Sequence, residues 1–438
     1  MTIGDTQRST PVAASTPGVV LLLLYLGYLL SFADRVIFGL VLKPIKATLH
    51  LSDTQLGLLS GVAFALSYAI FSPLGGYLVD RRPRKLMMSA AIAFWSVATF
   101  ATGLAGSFLA MTLARIGVGV GESMLHPLSV SLVADTVPVN RRPRAFSLYL
   151  SAGAVGSVVA LLFGGLLVQH LAKIHGLHLP GIGPIMPWQG LFMAAAVPGL
   201  ILAAVVLMVL REPPRAPVAE ADSAHPTGLG FVRRYPWLAG AVFCGVSLAQ
   251  MGAYTVTTWN VNFFERVHGW SGSQAAIWLS LTSGVATIIG CVLAGPMIGY
   301  LRRRGHADAP LRLCLVASVA HAVFAVLGLL APTPILALCL FPLGSFWAYV
   351  PSVAGFSALG EALPSPVRAR LAGLHTFANG VISNSLGPFL VGVFSDTLFH
   401  RPGGLRYALV LTVVIAGVGG VVAVAAGMKQ YRERLAEG

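Results

Sequence analysis

The sequence predicts an all-α membrane protein with twelve transmembrane helices arranged as two six-helix bundles. Three observations lead there. Apolar stretches of about 20 residues or more alternate with short turns carrying Pro and Arg. The basic residues crowd onto every second turn. The second half of the chain also repeats the pattern of the first.

Of 438 residues, 56% are hydrophobic and only 10% are charged, with a mean hydropathy of +0.80. A water-soluble fold has nowhere to hide that much apolar surface, whereas a bilayer solvates it directly. Apolar runs between turn signals place the first six spans at roughly 17–46, 53–80, 84–105, 107–136, 143–172 and 188–211. The second six fall at roughly 235–265, 273–301, 309–331, 334–363, 367–399 and 404–431. The chain then divides into a tail (1–16), a first bundle (17–211), a linker (212–234), a second bundle (235–431) and a tail (432–438). The linker is rich in proline and charge from Arg211 to Arg234 and is expected to carry some surface helix. A hydrophilic insert from Lys173 to Pro187 holds His175, His178 and three prolines, and reads as a solvated loop rather than a metal site.

The formal charge of +14 invites a nucleic-acid reading, but its distribution answers that. One set of turns receives Arg81, Arg82, Arg84, Lys85, Arg141, Arg142, Arg144, Arg302, Arg303, Arg304, Arg368 and Arg370, together with most of the other basic residues. The opposite set has Lys43, Lys46, Lys173, Arg266, Arg401 and Arg406. This asymmetry is the positive-inside signature, which puts both termini in the cytoplasm and makes the charge a matter of topology. The expected partner is a lipid bilayer, with no nucleic acid. The polar stretch from Met1 to Pro17 does not read as a signal peptide, because the apolar run after it is too long and lacks a small-residue cleavage site. A multi-pass protein of the cell inner (plasma) membrane is expected. Cys244, Cys291, Cys314 and Cys339 are scattered through apolar runs without metal-binding spacing, and read as small buried hydrophobes.

The repeat is explicit. Leu51-Ser-Asp-Thr-Gln-Leu-Gly aligns with Trp270-Ser-Gly-Ser-Gln-Ala-Ala at an offset of 219, which also places Gly76 on Gly295. Further along, an offset of 226 carries Asp135, Pro138, Arg144 and Gly153 onto Glu361, Pro364, Arg370 and Asn379. Two six-helix units related in this way form the parallel repeat of secondary transporters, with substrate near the midplane between the halves and alternating access by rocking.

Gly76-Tyr-Leu-Val-Asp80-Arg81-Arg82-Pro83-Arg84-Lys85 closely resembles the signature loop between helices 2 and 3 of the major facilitator superfamily, with Pro83 where glycine is usual. Gly76 is expected to let two helices approach, Asp80 to pair with the basic residues beside it, and Asp135 to be a second partner for Arg81 or Arg84. With Arg144, this cluster is the expected latch of the cytoplasmic gate; the alternative is basic charge kept for orientation alone. Phe32-Ala-Asp34-Arg35 resembles the aromatic-x-Asp-Arg element of the spinster family of lipid transporters. Arg115-Ile-Gly-Val-Gly-Val-Gly121-Glu122-Ser123 is similar to that family's Arg-x-x-x-Gly-x-Gly-Glu-Ala/Ser element. The likeness covers the first six helices; the second half shares general features such as Gly387-Pro388. It implies proton-linked movement of lysolipids or phosphorylated sphingoid bases, with no cofactor. Related carriers of anions and sugar acids share parts of these motifs. A monomer is expected for this fold. Gly117, Gly119 and Gly121 do not fit a nucleotide-binding loop, and close helix packing accounts for them.

Ionisable residues inside apolar spans are costly and suggest function. Asp34 and Arg35 lie midway along helix 1, Arg115 and Glu122 on helix 4, and the repeat puts Ala253 and Tyr254 where Asp34 and Arg35 would recur. Arg115 and Glu122 are seven residues apart and share a helix face; Glu122 and His126 are four apart. Asp34 and Arg35 point about 100° apart, so helices 1 and 4 are expected to contribute opposite charges to one polar patch. Burial disfavours a charged carboxylate and a neighbouring arginine restores it. A substrate anion that borrows the arginine therefore makes the carboxylate easier to protonate. On this reading Arg35 binds the anion, Arg115 and His126 border the site, and Asp34 and Glu122 exchange protons; the alternative is a static ion pair. From the facing half, Trp259, Asn260, Phe263, Trp347, Tyr349, His375 and Asn379 are candidates to line an amphipathic cavity, or else to pack helices. The function expected is proton-coupled transport of an amphipathic anionic lipid, with small organic anions or drugs as the alternative substrate. A receptor or membrane enzyme is the alternative of another class, and no metal spacing, nucleophile–base pair or phosphate loop favours an enzyme.

Overall fold

The computed structural model describes residues 16–138, 141–174, 178–179, 183–212, 228–362, 365–401 and 403–437. Twelve helices are long and apolar enough to cross a membrane. Helices 1 to 6 are Pro17–Leu40, Asp53–Val79, Arg84–Leu104, Phe108–Thr136, Arg144–Lys173 and Pro187–Val209. Helices 7 to 12 are Pro236–Val267, Gly272–Arg303, Ala309–Leu330, Pro334–Ala362, Gly373–Thr397 and Gly404–Ala436. The chain is an all-α, multi-pass membrane protein, as its hydropathy pattern predicts.

Local chemistry sets the helix ends. Pro17, Pro187, Pro236 and Pro334 occupy first helical positions, where a missing N–H costs nothing. Ser52, Ser107, Ser271 and Thr333 cap the starts of helices 2, 4, 8 and 10 by accepting backbone N–H groups. Ser52 and Ser271 are the pair matched by the offset of 219, so the repeat seen in sequence recurs as geometry.

Helices 4 and 10 are each broken midway. Helix 4 has two pieces, Phe108–Glu122 and Leu125–Thr136; helix 10 has Pro334–Ala348 and Val350–Ala362. Pro127 and Pro351 sit just after the breaks, and a proline inside a helix removes a hydrogen bond and crowds the carbonyl four residues back. Wide, π-helical turns interrupt helices 2, 7, 8 and 11 at Leu58–Val62, Ala241–Gly245, Ser280–Gly284 and Gly380–Leu386.

The halves pack through helix 2 against 11, helix 1 against 7 and helix 5 against 8. These contacts lie toward the arginine-poor side and are backbone-close. A Cβ on Gly57 would stand 2.7 Å from the Pro388 oxygen, one on Gly61 2.6 Å from the Ser385 oxygen, and one on Gly39 2.8 Å from the Thr258 oxygen. Among the described residues, the ion pairs on the arginine-rich side stay within a half. Arg84 pairs with Asp135 in the first and Arg302 with Glu361 in the second, two acids matched by the offset of 226.

Two peripheral segments differ in detail from expectation. Helix 12 continues through Ala436 into the stretch expected to be a tail from residue 432, because Tyr431 is buried and donates to Glu361 Oε2 at 2.7 Å. In the insert after helix 5, His178–Leu179 pairs antiparallel with Gly183–Pro184; His175 lies outside the described residues. Of the linker, Gly228–Arg234 is helical and residues 213–227 lie outside the described set.

Candidate functional site

Four charged side chains from helices 1 and 4 meet near the middle of the first half. Arg35 Nη2 donates to Glu122 Oε2 at 2.6 Å and Arg35 Nε to the same oxygen at 3.0 Å. Ser31, one turn before Arg35 on helix 1, donates to Glu122 Oε2 at 2.6 Å and accepts from Arg35 Nη2 at 3.2 Å. Glu122 Oε1 is buried without a hydrogen-bond partner. Arg35 is 17% exposed while Glu122 is fully enclosed, so the accessible member of this pair is its arginine.

Asp34 turns the other way. Its Oδ1 accepts from Thr99 Oγ1 at 2.7 Å and its Oδ2 from Arg115 Nη1 at 3.0 Å, and both members of the pair are buried. The two pairs are crossed: the acid of helix 1 meets the base of helix 4, and the base of helix 1 meets the acid of helix 4. Phe64 lies between them, with the guanidinium of Arg35 4.5 Å and that of Arg115 5.4 Å from its ring centre. A cation held against an aromatic face in a dry environment gains further stabilisation.

The glycines of helix 4 make this approach possible. A Cβ on Gly119 would sit 2.6 Å from the Phe64 oxygen, and one on Gly121 2.7 Å from Trp95 Cβ. Helices 2 and 3 therefore press directly on helix 4, as packing and not nucleotide binding requires. The break in helix 4 follows Glu122 at once, and His126 is half-buried in the second piece.

Aromatic hydroxyls surround Arg35. Tyr28 stacks on Tyr149 with ring centres 4.4 Å apart, and Tyr68 lies 5.5 Å beneath the Arg35 guanidinium. From the second half, Tyr254 lies within electrostatic reach of Arg35 and packs against Tyr349 at 6.3 Å. Tyr254 is the residue that the repeat places where Arg35 would recur. Asn379 Nδ2 donates to Gln250 Oε1 at 3.3 Å. Tyr349, in the break of helix 10, and Asn379 remain half-buried, as does Trp347, which packs edge-on against Phe346 at 5.0 Å.

Four expected lining residues are packed away instead. Trp259 and Phe263 have no exposed surface: Trp259 Nε1 donates to the Pro388 oxygen at 3.2 Å, and Phe263 meets Phe264, His268 and Phe341 edge-on. His375 is buried, its Nδ1 donating to the Val242 oxygen at 2.9 Å, and Asn260 turns its Oδ1 back to the Val261 N–H at 2.8 Å. Helix rotation decides such placements, and composition carries no signal of it.

At the arginine-rich side, Arg84 is fully buried and pairs with Asp135, with Ser131 Oγ at 3.1 Å and with Glu212 Oε1 at 2.9 Å. Arg81 instead lies exposed over the Tyr77 ring at 4.2 Å, and Arg144 is exposed. The Asp80 side chain lies outside the described residues. Gly76 does not mediate a close approach here: a Cβ there would meet nothing within 4 Å, as at Gly295, its match in the repeat. The close contact belongs to Gly75, whose Cβ would lie 3.2 Å from Met124.

Sequence reasoning passed over Asp53, Arg266 and Asp396, which join the halves at the arginine-poor side: Arg266 brackets the Asp53 carboxylate at 2.6 and 2.7 Å. The available signal was an acid at a helix start where the matched position in the repeat, Gly272, has no side chain.

The model of the Major Facilitator Superfamily matches residues 24–388. An MFS-type efflux pump of Mycolicibacterium smegmatis is 26% identical over 424 residues, covering 93% of this chain and 92% of that protein. The sphingosine-1-phosphate transporter SPNS2 of Danio rerio is 24% identical over 453 residues, covering 95% and 85% respectively. Among solved structures, a bacterial homolog of the human lysosomal transporter Spinster, in an inward-facing and unoccupied conformation, superposes with a TM-score of 0.79 at 27% identity, over 95% of this chain and 99% of that one.

Proposed function

The chain belongs to the Major Facilitator Superfamily, and from that premise we propose that it is a proton-coupled secondary active transporter moving an amphipathic anionic lipid, such as a lysophospholipid or sphingoid-base phosphate. It is a transporter related to the spinster proteins. In this reading the arginine-rich side is cytoplasmic, in the plasma membrane, and the conformation is inward-facing.

The observation that carries the reading is the Arg35–Glu122 pair, enclosed at the acid and open at the base. Arg35 holds a fixed charge and a planar fork of donors suited to a phosphate or carboxylate. When the headgroup takes Arg35, Glu122 loses its counter-charge and binds a proton, for which the unpartnered Oε1 is the available atom. When the anion leaves, Arg35 returns and the proton departs. Asp34, satisfied on both oxygens, serves with Arg115 as the brace that fixes helix 1 against helix 4. The tyrosines and half-buried aromatics of both halves form the amphipathic wall that an acyl chain needs.

A second reading keeps the transporter and changes the cargo to small organic anions or drugs, favoured by the likeness to an efflux pump. Uptake of labelled lysolipid or phosphorylated sphingoid base into proteoliposomes, with and without a pH gradient, separates the two. Gradient-sensitive uptake that is lost in Arg35→Ala supports the lipid reading. No uptake above empty liposomes by folded protein refutes it and leaves the small-anion reading.

A further inference from the structure

Asp53 begins helix 2, but it is not needed to start it. Ser52 and Gln55 already form a reciprocal capping box, with the Gln55 N–H donating to Ser52 Oγ at 3.1 Å and the Ser52 N–H to Gln55 Oε1 at 2.9 Å. The Asp53 carboxylate is thereby left for other partners, and at 3% exposure it is buried among them. Arg266, at the end of helix 7, grips both its oxygens: Nη1 to Oδ2 at 2.6 Å and Nη2 to Oδ1 at 2.7 Å. Ser395 of helix 11 donates to Oδ2 at 2.7 Å, and Lys46 donates to Oδ1 at 2.5 Å. Arg266 and Ser395 belong to the second half, Lys46 to the first.

A reciprocal contact stands beside it. Asp396 of helix 11 accepts the Thr54 N–H and Thr54 Oγ1, each at 2.6 Å, and the Asp53 N–H at 3.2 Å. A second-half carboxylate thus sits on the positive end of a first-half helix. Close packing locks both: a Cβ on Gly392 would fall 2.2 Å from the backbone oxygen of Asp53.

We infer that Asp53 is the outer latch of the transport cycle, a gating residue whose grip by Arg266 and Ser395 holds the outer ends of the two halves together and must be released before substrate exchanges at that face. The inference goes beyond the coupling pair at the centre: it assigns the conformational balance to a residue outside the substrate site. It also follows from the chemistry. A bidentate guanidinium–carboxylate pair spanning two rigid bundles breaks as a unit when they rock apart, and both groups are then taken up by water, so the latch is strong yet reversible.

The test reads conformation without substrate, so its failure is distinguishable from failure of the lipid or proton assignment. In a background with the four cysteines replaced, spin labels at Ala47→Cys and Leu398→Cys report the spacing between the short helix Leu42–Leu49, which leads into helix 2, and the outer end of helix 11. Asp53→Asn and Arg266→Gln should each raise the long-distance, outward-open population about tenfold or more, and the double variant should add little to either single one. Lys46→Gln removes a donor from the same carboxylate but within one half, so it should shift the population far less. Asp53→Glu should restore much of the closed population. Equal opening by Lys46→Gln and Arg266→Gln would mean that the carboxylate merely folds the start of helix 2 and would overturn the latch, as would an unchanged distance distribution in Asp53→Asn.

Discussion

Asp34 and Arg35 are neighbours in the chain yet turn to different partners on helix 4, Asp34 to Arg115 at 3.0 Å and Arg35 to Glu122 at 2.6 Å. One pair is sealed and the other is open at its arginine, although all four groups sit in apolar spans. Similar chemistry is thus placed in two environments, one suited to holding helices and the other to exchanging ligands and protons.

For the open pair, Glu122→Gln keeps the shape and a hydrogen-bonding group but removes the titrating carboxylate. Uptake driven by a pH gradient should fall about tenfold or more, while exchange of labelled for unlabelled substrate continues. Gradient-driven accumulation by the Gln variant at the wild-type level would remove Glu122 from the coupling step.

For the sealed pair, loss of one partner strands a buried charge. Asp34→Asn should destabilise the protein by about 3–5 kcal/mol, and Arg115→Gln similarly. Combining the two should cost clearly less than the sum, because the stranded charge is gone. Thermal unfolding in detergent measures this. Additive losses would show that the two residues do not act as one brace, and a stable Asp34→Asn protein that transports without pH dependence would show that Asp34 carries the proton.

The four charges were legible in the sequence because each interrupts a long apolar run, and the signal needs no knowledge of rotation. Their pairing was only half legible: spacing put Arg115 and Glu122 on one face, but nothing in it said that Asp34 would find Arg115 and Thr99. For Trp259, Phe263 and His375 the sequence left both lining and packing open for the same reason, since a few tens of degrees of helix rotation separate a cavity wall from a packed seam. Asp53 was hidden differently. An acid in the first turn of a helix is ordinary, and its partners Arg266 and Ser395 come from helices more than two hundred residues away.

At the arginine-rich end, Glu212 gathers the Arg84 N–H at 3.2 Å, the Lys85 N–H at 3.0 Å and Arg84 Nε at 2.9 Å. Burial pushes its pKa up, but these donors outweigh it and hold the carboxyl below its ordinary value of 4.5. A lowered folded-state value means that the contribution to stability is present above the ordinary value and lost as pH falls through the folded one. Glu212→Gln should therefore destabilise the protein at pH 7 by about 1 kcal/mol or less, because the group is partly exposed, and this is read as a lower unfolding temperature. The gap from wild type should close as pH drops below 4.5. A gap that stays constant down to low pH would show that the charge is not what matters.

Helix 8 offers a paired test of the packing itself. Gly290 and Gly295 lie five residues apart in one helix, and alanine at either position should favour the helix by about 1 kcal/mol on backbone grounds alone. Their surroundings are opposite. A Cβ on Gly290 would fall 1.7 Å from the Phe346 oxygen of helix 10, whereas one on Gly295 meets nothing within 4 Å. Backbone cannot give way as a flexible side chain can, so Gly290→Ala must push helices 8 and 10 apart. Overpacking of that kind costs about 1–3 kcal/mol or more and outweighs the gain in propensity. Gly290→Ala should lower the unfolding temperature, and Gly295→Ala should leave it unchanged or raise it slightly. Should both variants melt alike, the close seam between helices 8 and 10 is not a feature of the folded protein.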